Sequence, residues 1–186
     1  LIRGEEYEES QRTSIAGLAI PNYDDINFDD YDNKIVTVTG SRGCIRFCTF
    51  CDVNSIWPKY RYRPGKEIAT EIAEMHRRYG IKHVTFSDSL VNGSMKAFRE
   101  FCNALIEENV PVTWDAMFIF RSGMTQKDWD MIEDSGCKAL YIGIESGSEA
   151  VRTHMKKHFT NQCMYDSIEQ LGERGINMTF LMMVGY

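Results

Sequence analysis

Five apolar, largely β-branched runs alternate with amphipathic stretches along the chain, and this alternation limits the possible folds more than any other feature. Residues 35–39 (Ile, Val, Thr, Val, Thr) form the first run, and Gly40 ends it. β-Branched side chains suit a pleated, half-buried surface, so a strand is predicted there. Ile68, Ile72, Met75 and Tyr79 then recur at the spacing of one helix face, and Gly80 stops that helix. Further strands are predicted at 82–86, 112–120, 139–144 and 176–184. The helices between them carry Phe98, Cys102 and Leu105, then Trp129 and Ile132, then Met164, Ile168 and Leu171. Thr125 and Asp128 have the spacing of a capping box.

Strand and helix in turn argue for parallel βαβ units with right-handed crossovers. Near-continuous apolar strands are expected where helices cover a parallel sheet. An open doubly wound sheet and a (β/α) barrel both satisfy this pattern, and both place their chemistry at the carboxyl ends of the strands. Because the chain stops at Tyr186, the expected form is an α/β partial barrel. It would be of the (β/α)6, TIM-like type, with parallel strands, outer helices and a break after the fifth strand. Residues 1–34 are acidic and aperiodic and read as an N-terminal linker pinned by a few aromatics; residues 35–186 read as the core. The first residues resemble neither a signal peptide nor a natural start, as expected of a piece of a longer chain.

Apolar residues make up 43% of the chain and charged residues 26%, a globular balance that sustains a core without disulfide staples. The net charge of −6 is interspersed. Without a basic stripe, nucleic acid is not the default partner, although a local patch would still leave room for a polyanion such as tRNA. No apolar run approaches the roughly 20 residues that span a bilayer. Six cysteines are present, and Cys44, Cys48 and Cys51 fall within eight residues. They read as metal ligands in a reducing compartment, taken as the cytoplasm, rather than as a disulfide framework. Cys102, Cys137 and Cys163 are scattered and read as small buried hydrophobes. Lys156 and Lys157 read as surface charge, with contact to a phosphate or substrate as the alternative.

The clustered thiols follow the first predicted strand with the spacing C-x3-C-x2-C. Three thiolates so close can hold three irons of a cubane and leave the fourth iron open. An open position is what substrate chemistry needs, as at catalytic zinc. The competing reading is a zinc-stabilised scaffold without catalysis. It needs a fourth ligand, and the next cysteine is Cys102 and the first histidine His76.

This cysteine spacing, with Phe50 before the last cysteine, resembles the radical S-adenosylmethionine (radical SAM) enzymes over residues 35–186. Residues 39–44 (Thr, Gly, Ser, Arg, Gly, Cys) and 143–148 (Gly, Ile, Glu, Ser, Gly, Ser) are similar to the branch often fused to a cobalamin-binding domain. The resemblance implies a [4Fe–4S] cluster on Cys44, Cys48 and Cys51. It also implies S-adenosylmethionine as co-substrate, an electron donor such as flavodoxin or ferredoxin, and hydrogen abstraction from a further substrate. Cobalamin-dependent methyl transfer is one outcome it leaves open.

The resemblance further assigns contacts to S-adenosylmethionine. Phe50 would lie against the adenine. Asp88 and Ser89, after the second strand, would receive the methionyl amine; the family's usual Gly-Gly-Glu stretch is absent, and Asp88 could instead cap a helix. Arg121 would pair with the methionyl carboxylate or with a structural acid. Glu145 and Ser146 would meet the ribose hydroxyls. Gly185 would begin an adenine-backing turn.

Overall fold

The computed structural model describes residues 14–31 and 33–186. Residues 1–13 and Asp32 of the expected linker lie outside the described residues. The remainder of that segment is anchored to the core: Tyr23 and Phe28 pack against Tyr79, and Asp24 accepts from Arg78 at 2.6 Å.

The chain runs through β1 (Ile35–Val38), β2 (Ser41–Arg42), α1 (Val53–Ile56), β3 (Arg61–Tyr62), α2 (Gly65–Tyr79), β4 (His83–Phe86) and α3 (Met95–Glu107). It continues through β5 (Thr113–Phe118), α4 (Gln126–Asp134), β6 (Cys137–Glu145), α5 (Glu149–His154), α6 (Asn161–Glu173) and β7 (Asn177–Met182). Five parallel strands form one sheet in the order β1-β4-β5-β6-β7. This order decides between the two expected architectures. A doubly wound sheet reverses direction at a switch point. Here every step goes the same way, so right-handed crossovers put all the helices on one face. The opposite face is left as the inside of a barrel arc.

Burial along β1 shows the two faces. Val36 and Val38 are buried toward the helices, whereas Ile35 and Thr37 are exposed toward the inside. On the helix face Trp114, Phe98, Phe101 and Phe86 stack edge to face, and the Trp114 indole donates to the Ser135 carbonyl at 3.0 Å. Burying such rings stabilises a core by roughly 2–3 kcal/mol each, which ties α3 to the sheet. The predicted capping box of α4 forms: Asp128 accepts from the Thr125 N–H at 2.9 Å.

Four elements, β2, α1, β3 and α5, have no counterpart in the predicted pattern. β2 and β3 form a two-stranded antiparallel hairpin that closes the base of the cysteine segment. α5 follows β6. All of these are short, and elements of two to six residues leave too little periodicity to read.

Candidate active site

The cysteine segment leaves the carboxyl end of β1 and returns through β3. Arg42 and Arg61 bracket the Trp57 ring at its base, each 5.5 Å from the ring centre. Gly43 turns the chain with a φ of 84°, and a Cβ there would come within 2.9 Å of the Lys59 carbonyl. A side chain at this position would meet both left-handed strain and a backbone clash.

The segment is clamped to its neighbours. Asp88, at the end of β4, accepts from the Gly40 N–H at 2.7 Å and the Ser41 hydroxyl at 2.6 Å. Arg63 is wholly buried, pairs with Glu71 at 2.5 Å and donates to the Thr39 carbonyl. The Thr49 N–H reaches the Met155 carbonyl beyond α5.

Cys44, Cys48 and Cys51 all carry free thiols and open on one cavity of about 250 Å³. Phe50, Ser89, Leu90, Met117, Glu145 and Lys157 share its wall. Burial pushes the Cys44 and Cys48 thiols up; the Arg46 N–H pulls the first partly back, and the Lys157 ammonium the second. Among the described residues no three His, Cys, Asp or Glu side chains converge where a single metal ion would sit. Thiolates of a cubane each meet a different iron, and three thiols around one cavity form a donor set that fits such a cluster.

Glu145 stands at a register shift between β6 and β7, with a φ of 62°. A bulge re-aims the side chain that follows it, and a positive φ at a non-glycine residue is retained where the surroundings enforce it. The side chain is held by Lys157, whose Nζ donates to Glu145 Oε1 at 2.8 Å and lies 5.7 Å from the centre of the Phe50 ring. A Cβ on Gly143 would stand 2.5 Å from that carboxylate oxygen and 2.7 Å from the ammonium. A side chain there would push both ends of the pair from their present positions. Lys157 is itself turned inward by a loop in which Lys156 and His158 both take positive φ. Arg152, fully buried over the Phe159 ring, secures that loop by donating to the Ser146 carbonyl at 2.7 Å.

The structure thus brings the three cysteines, Phe50, Ser89 and Glu145 to one cavity. The other expected contacts are placed elsewhere. Asp88 turns its carboxylate to the start of the cysteine segment, because the Gly40 N–H and Ser41 hydroxyl offer it two donors in a buried site. Burial raises its pKa, and those hydrogen bonds partly offset the rise. Ser146 accepts from the Ser148 N–H at the start of α5. Arg121 donates to the Asn92 and Gly93 carbonyls and lines a separate cavity. Gly185 has a φ of 85°, as a turn requires, but is not on the cavity wall.

Sequence reasoning missed Arg46 and read Lys157 chiefly as surface charge, yet both are on the wall of the cysteine cavity. Flanking lysine and histidine make Lys157 look solvated, and the paired positive φ values that turn it inward leave no mark in composition.

The model of the Radical SAM superfamily matches residues 38–186. The anaerobic magnesium-protoporphyrin IX monomethyl ester cyclase of Synechocystis sp. is 28% identical over 152 residues, covering 77% of this chain and 29% of that protein. The cytidylyl-2-hydroxyethylphosphonate methyltransferase of Streptomyces wedmorensis is 29% identical over 119 residues, covering 63% of this chain and 22% of that protein. The chain therefore spans under a third of the length of these relatives. Among solved structures, the radical S-adenosylmethionine methyltransferase TsrM from Kitasatospora setae superposes with a TM-score of 0.68 at 16% identity, over 80% of this chain and 30% of that one. This last likeness is one of fold: the strand order and outer helices are those of a TIM-like partial barrel.

Proposed function

The chain belongs to the radical SAM superfamily, and from that premise we propose that Cys44, Cys48 and Cys51 hold a [4Fe–4S] cluster at which S-adenosylmethionine is reductively cleaved. Held by these three thiolates, such a cluster would supply the single electron that reductive cleavage of S-adenosylmethionine to methionine and a 5′-deoxyadenosyl radical needs. The observation that carries this reading is the opening of three free thiols on one cavity beside an ion-paired carboxylate.

The protein's share of the work is positioning and exclusion of water. Glu145 accepts from the ribose hydroxyls, a task for which a carboxylate has spare lone pairs even with Lys157 bound. Lys157 fixes the direction of that carboxylate. Phe50 offers its ring to the adenine, and Ser89 offers polar groups to the methionyl end. Leu90, Met117, Phe118 and Ile119 make the rest of the wall apolar. Asp88 acts at one remove, by fixing the start of the cysteine segment.

A low-potential one-electron donor such as flavodoxin or ferredoxin is the partner this chemistry requires. Cobalamin-assisted methyl transfer is one outcome within this reading, alongside the cyclisation and tRNA methylthiolation named for other relatives. Among the described residues no helix is long and apolar enough to cross a membrane.

The test is anaerobic reconstitution with iron and sulfide. A brown protein that releases 5′-deoxyadenosine under reductant supports the proposal. A colourless protein holding one zinc and releasing none supports the scaffold reading instead.

A further inference from the structure

Charge is spread unevenly along the chain. Residues 41–63, the cysteine segment with its closing hairpin, hold five of the 21 cationic residues and one of the 27 acidic ones. Their net charge is +4, against −10 for the rest of the chain. Of the five, Arg63 pairs with Glu71 in the interior, and Arg46 lies on the wall of the cysteine cavity. The other three, Arg42, Lys59 and Arg61, gather around one indole. Arg42 and Arg61 are direct partners across β2 and β3, and each guanidinium lies 5.5 Å from the centre of the Trp57 ring. Lys59 is exposed two residues beyond Trp57. Its backbone lies against Gly43, where a Cβ would stand 2.9 Å from the Lys59 carbonyl and 3.2 Å from that of Trp57. None of Arg42, Trp57, Lys59 and Arg61 lines the cysteine cavity.

Like charges directly opposite one another on paired strands repel. The indole offsets part of that cost, because a guanidinium is attracted to an aromatic face. An acidic surface laid over the three cations would relieve the remainder. Arginine and tryptophan are also enriched where proteins dock. Position then selects the kind of acidic partner. The cationic face packs against Gly43, the residue before Cys44, yet it stands off the cavity wall. A substrate belongs inside the cavity, beside the thiols. What radical chemistry must receive from outside the cavity, close to those same thiols, is an electron.

We propose that Arg42, Trp57, Lys59 and Arg61 form the docking surface for an acidic one-electron carrier protein. The inference rests on the radical reading of the cysteine cavity, and it names the face through which that cavity is supplied. In the docked pair, the reduced carrier loses one electron and the cluster at Cys44, Cys48 and Cys51 gains it. A flavodoxin hydroquinone becomes the semiquinone in this step, and no covalent bond forms or breaks. Complementary charge acts mainly on arrival, so it raises the association rate and makes that rate sensitive to salt.

The test is stopped-flow reduction of the anaerobically reconstituted protein by flavodoxin hydroquinone, followed as bleaching near 400 nm. Lys59→Glu and Arg61→Glu should each slow the second-order rate about fivefold or more at low ionic strength. The difference should shrink to within about twofold in 1 M salt, where the screening length is about 3 Å. Arg61→Lys should keep most of the rate, because steering depends on charge more than on guanidinium shape. Photoreduced deazaflavin, a small donor that needs no docking surface, is the control. With it, the rate of cluster reduction and the iron content should stay within about twofold in every variant. Equal flavodoxin rates in the wild type and both charge reversals at low salt overturn the proposal. So does an equal slowing with deazaflavin, which would mean that these residues shape the cysteine segment itself. Loss of tRNA binding in the charge reversals, with flavodoxin rates unchanged, would assign the face to nucleic acid and also overturn it. Release of 5′-deoxyadenosine with deazaflavin is read separately: its absence from the wild type is a failure of the radical reading, whereas the docking rates are read from the cluster's colour alone.

Discussion

Lys157 donates a 2.8 Å hydrogen bond to the Glu145 carboxylate, and the two side chains retain only 9% and 12% of their exposure. The residues come from opposite ends of an excursion that contains all of α5. Their pairing closes that excursion over the end of β6 and aims the carboxylate into the cysteine cavity.

Breaking the pair leaves a carboxylate buried without its counter-charge. Lys157→Met should therefore cost about 3 kcal/mol in urea denaturation, against about 0.5 kcal/mol or less for a solvated surface lysine. The same variant should bind S-adenosylmethionine about tenfold more weakly if Glu145 is the ribose acceptor proposed above, because its carboxylate loses its fixed direction. A stability change within the surface range would remove the structural role given to Lys157.

Gly143→Ala tests the same pair from beneath. The added methyl would fall 2.5 Å from the carboxylate oxygen and 2.7 Å from the ammonium, so both must move. The expected result is an affinity loss close to that of Lys157→Met and no further loss in the double variant. Additive losses in titration calorimetry would show that the glycine acts through something else.

Acid stability should carry the signature of Asp128. Its hydrogen bonds from Arg99, ahead of those from Thr125, hold its carboxyl at about 2, below the ordinary carboxylate value of 3.8. A depressed folded-state pKa contributes stability above the unfolded value and loses it as pH falls through the folded one. With solvent screening of the partly exposed Arg99 allowed for, the contribution is about 1–2 kcal/mol. Between about pH 4 and pH 2, Asp128→Asn should flatten the fall in unfolding free energy relative to the wild type. Parallel curves for the two proteins would contradict the assignment.

Thiol reactivity should sort the six cysteines by place. The thiolate is the reacting form, and burial pushes the Cys102 thiol up to about 12 and the Cys137 thiol higher still. In the protein without a cluster, iodoacetamide should label the exposed Cys51 first and reach Cys102 and Cys137 only after unfolding. Mass spectrometry of the time course reads the order, and early labelling of Cys102 would contradict the core packing.

The strand and helix alternation was legible because long elements with one buried face leave a period in the sequence. Whether those strands form an open sheet or a barrel arc was not legible: that depends on the direction of each crossover, and Val36 and Val38 are buried in either case. The cysteines, Phe50, Ser89 and Glu145 could be located because they follow strand ends, where any βα fold gathers its loops. Lys157 and Arg46 could not. Each reaches the cavity through a loop conformation, the first through the positive φ values of Lys156 and His158. Asp88 was located at the correct strand end, but its direction was set by the Gly40 N–H and the Ser41 hydroxyl, two donors supplied by the segment it holds.

The most direct measurement is made on the wild type and six single cysteine-to-alanine variants, reconstituted anaerobically. Iron per chain, absorbance near 400 nm and released 5′-deoxyadenosine are read together. The account predicts that Cys44→Ala, Cys48→Ala and Cys51→Ala each lose the intact cluster and the cleavage together, while the variants at Cys102, Cys137 and Cys163 keep both. Cleavage retained in Cys48→Ala, or lost with Cys102 while the fold persists, would contradict it.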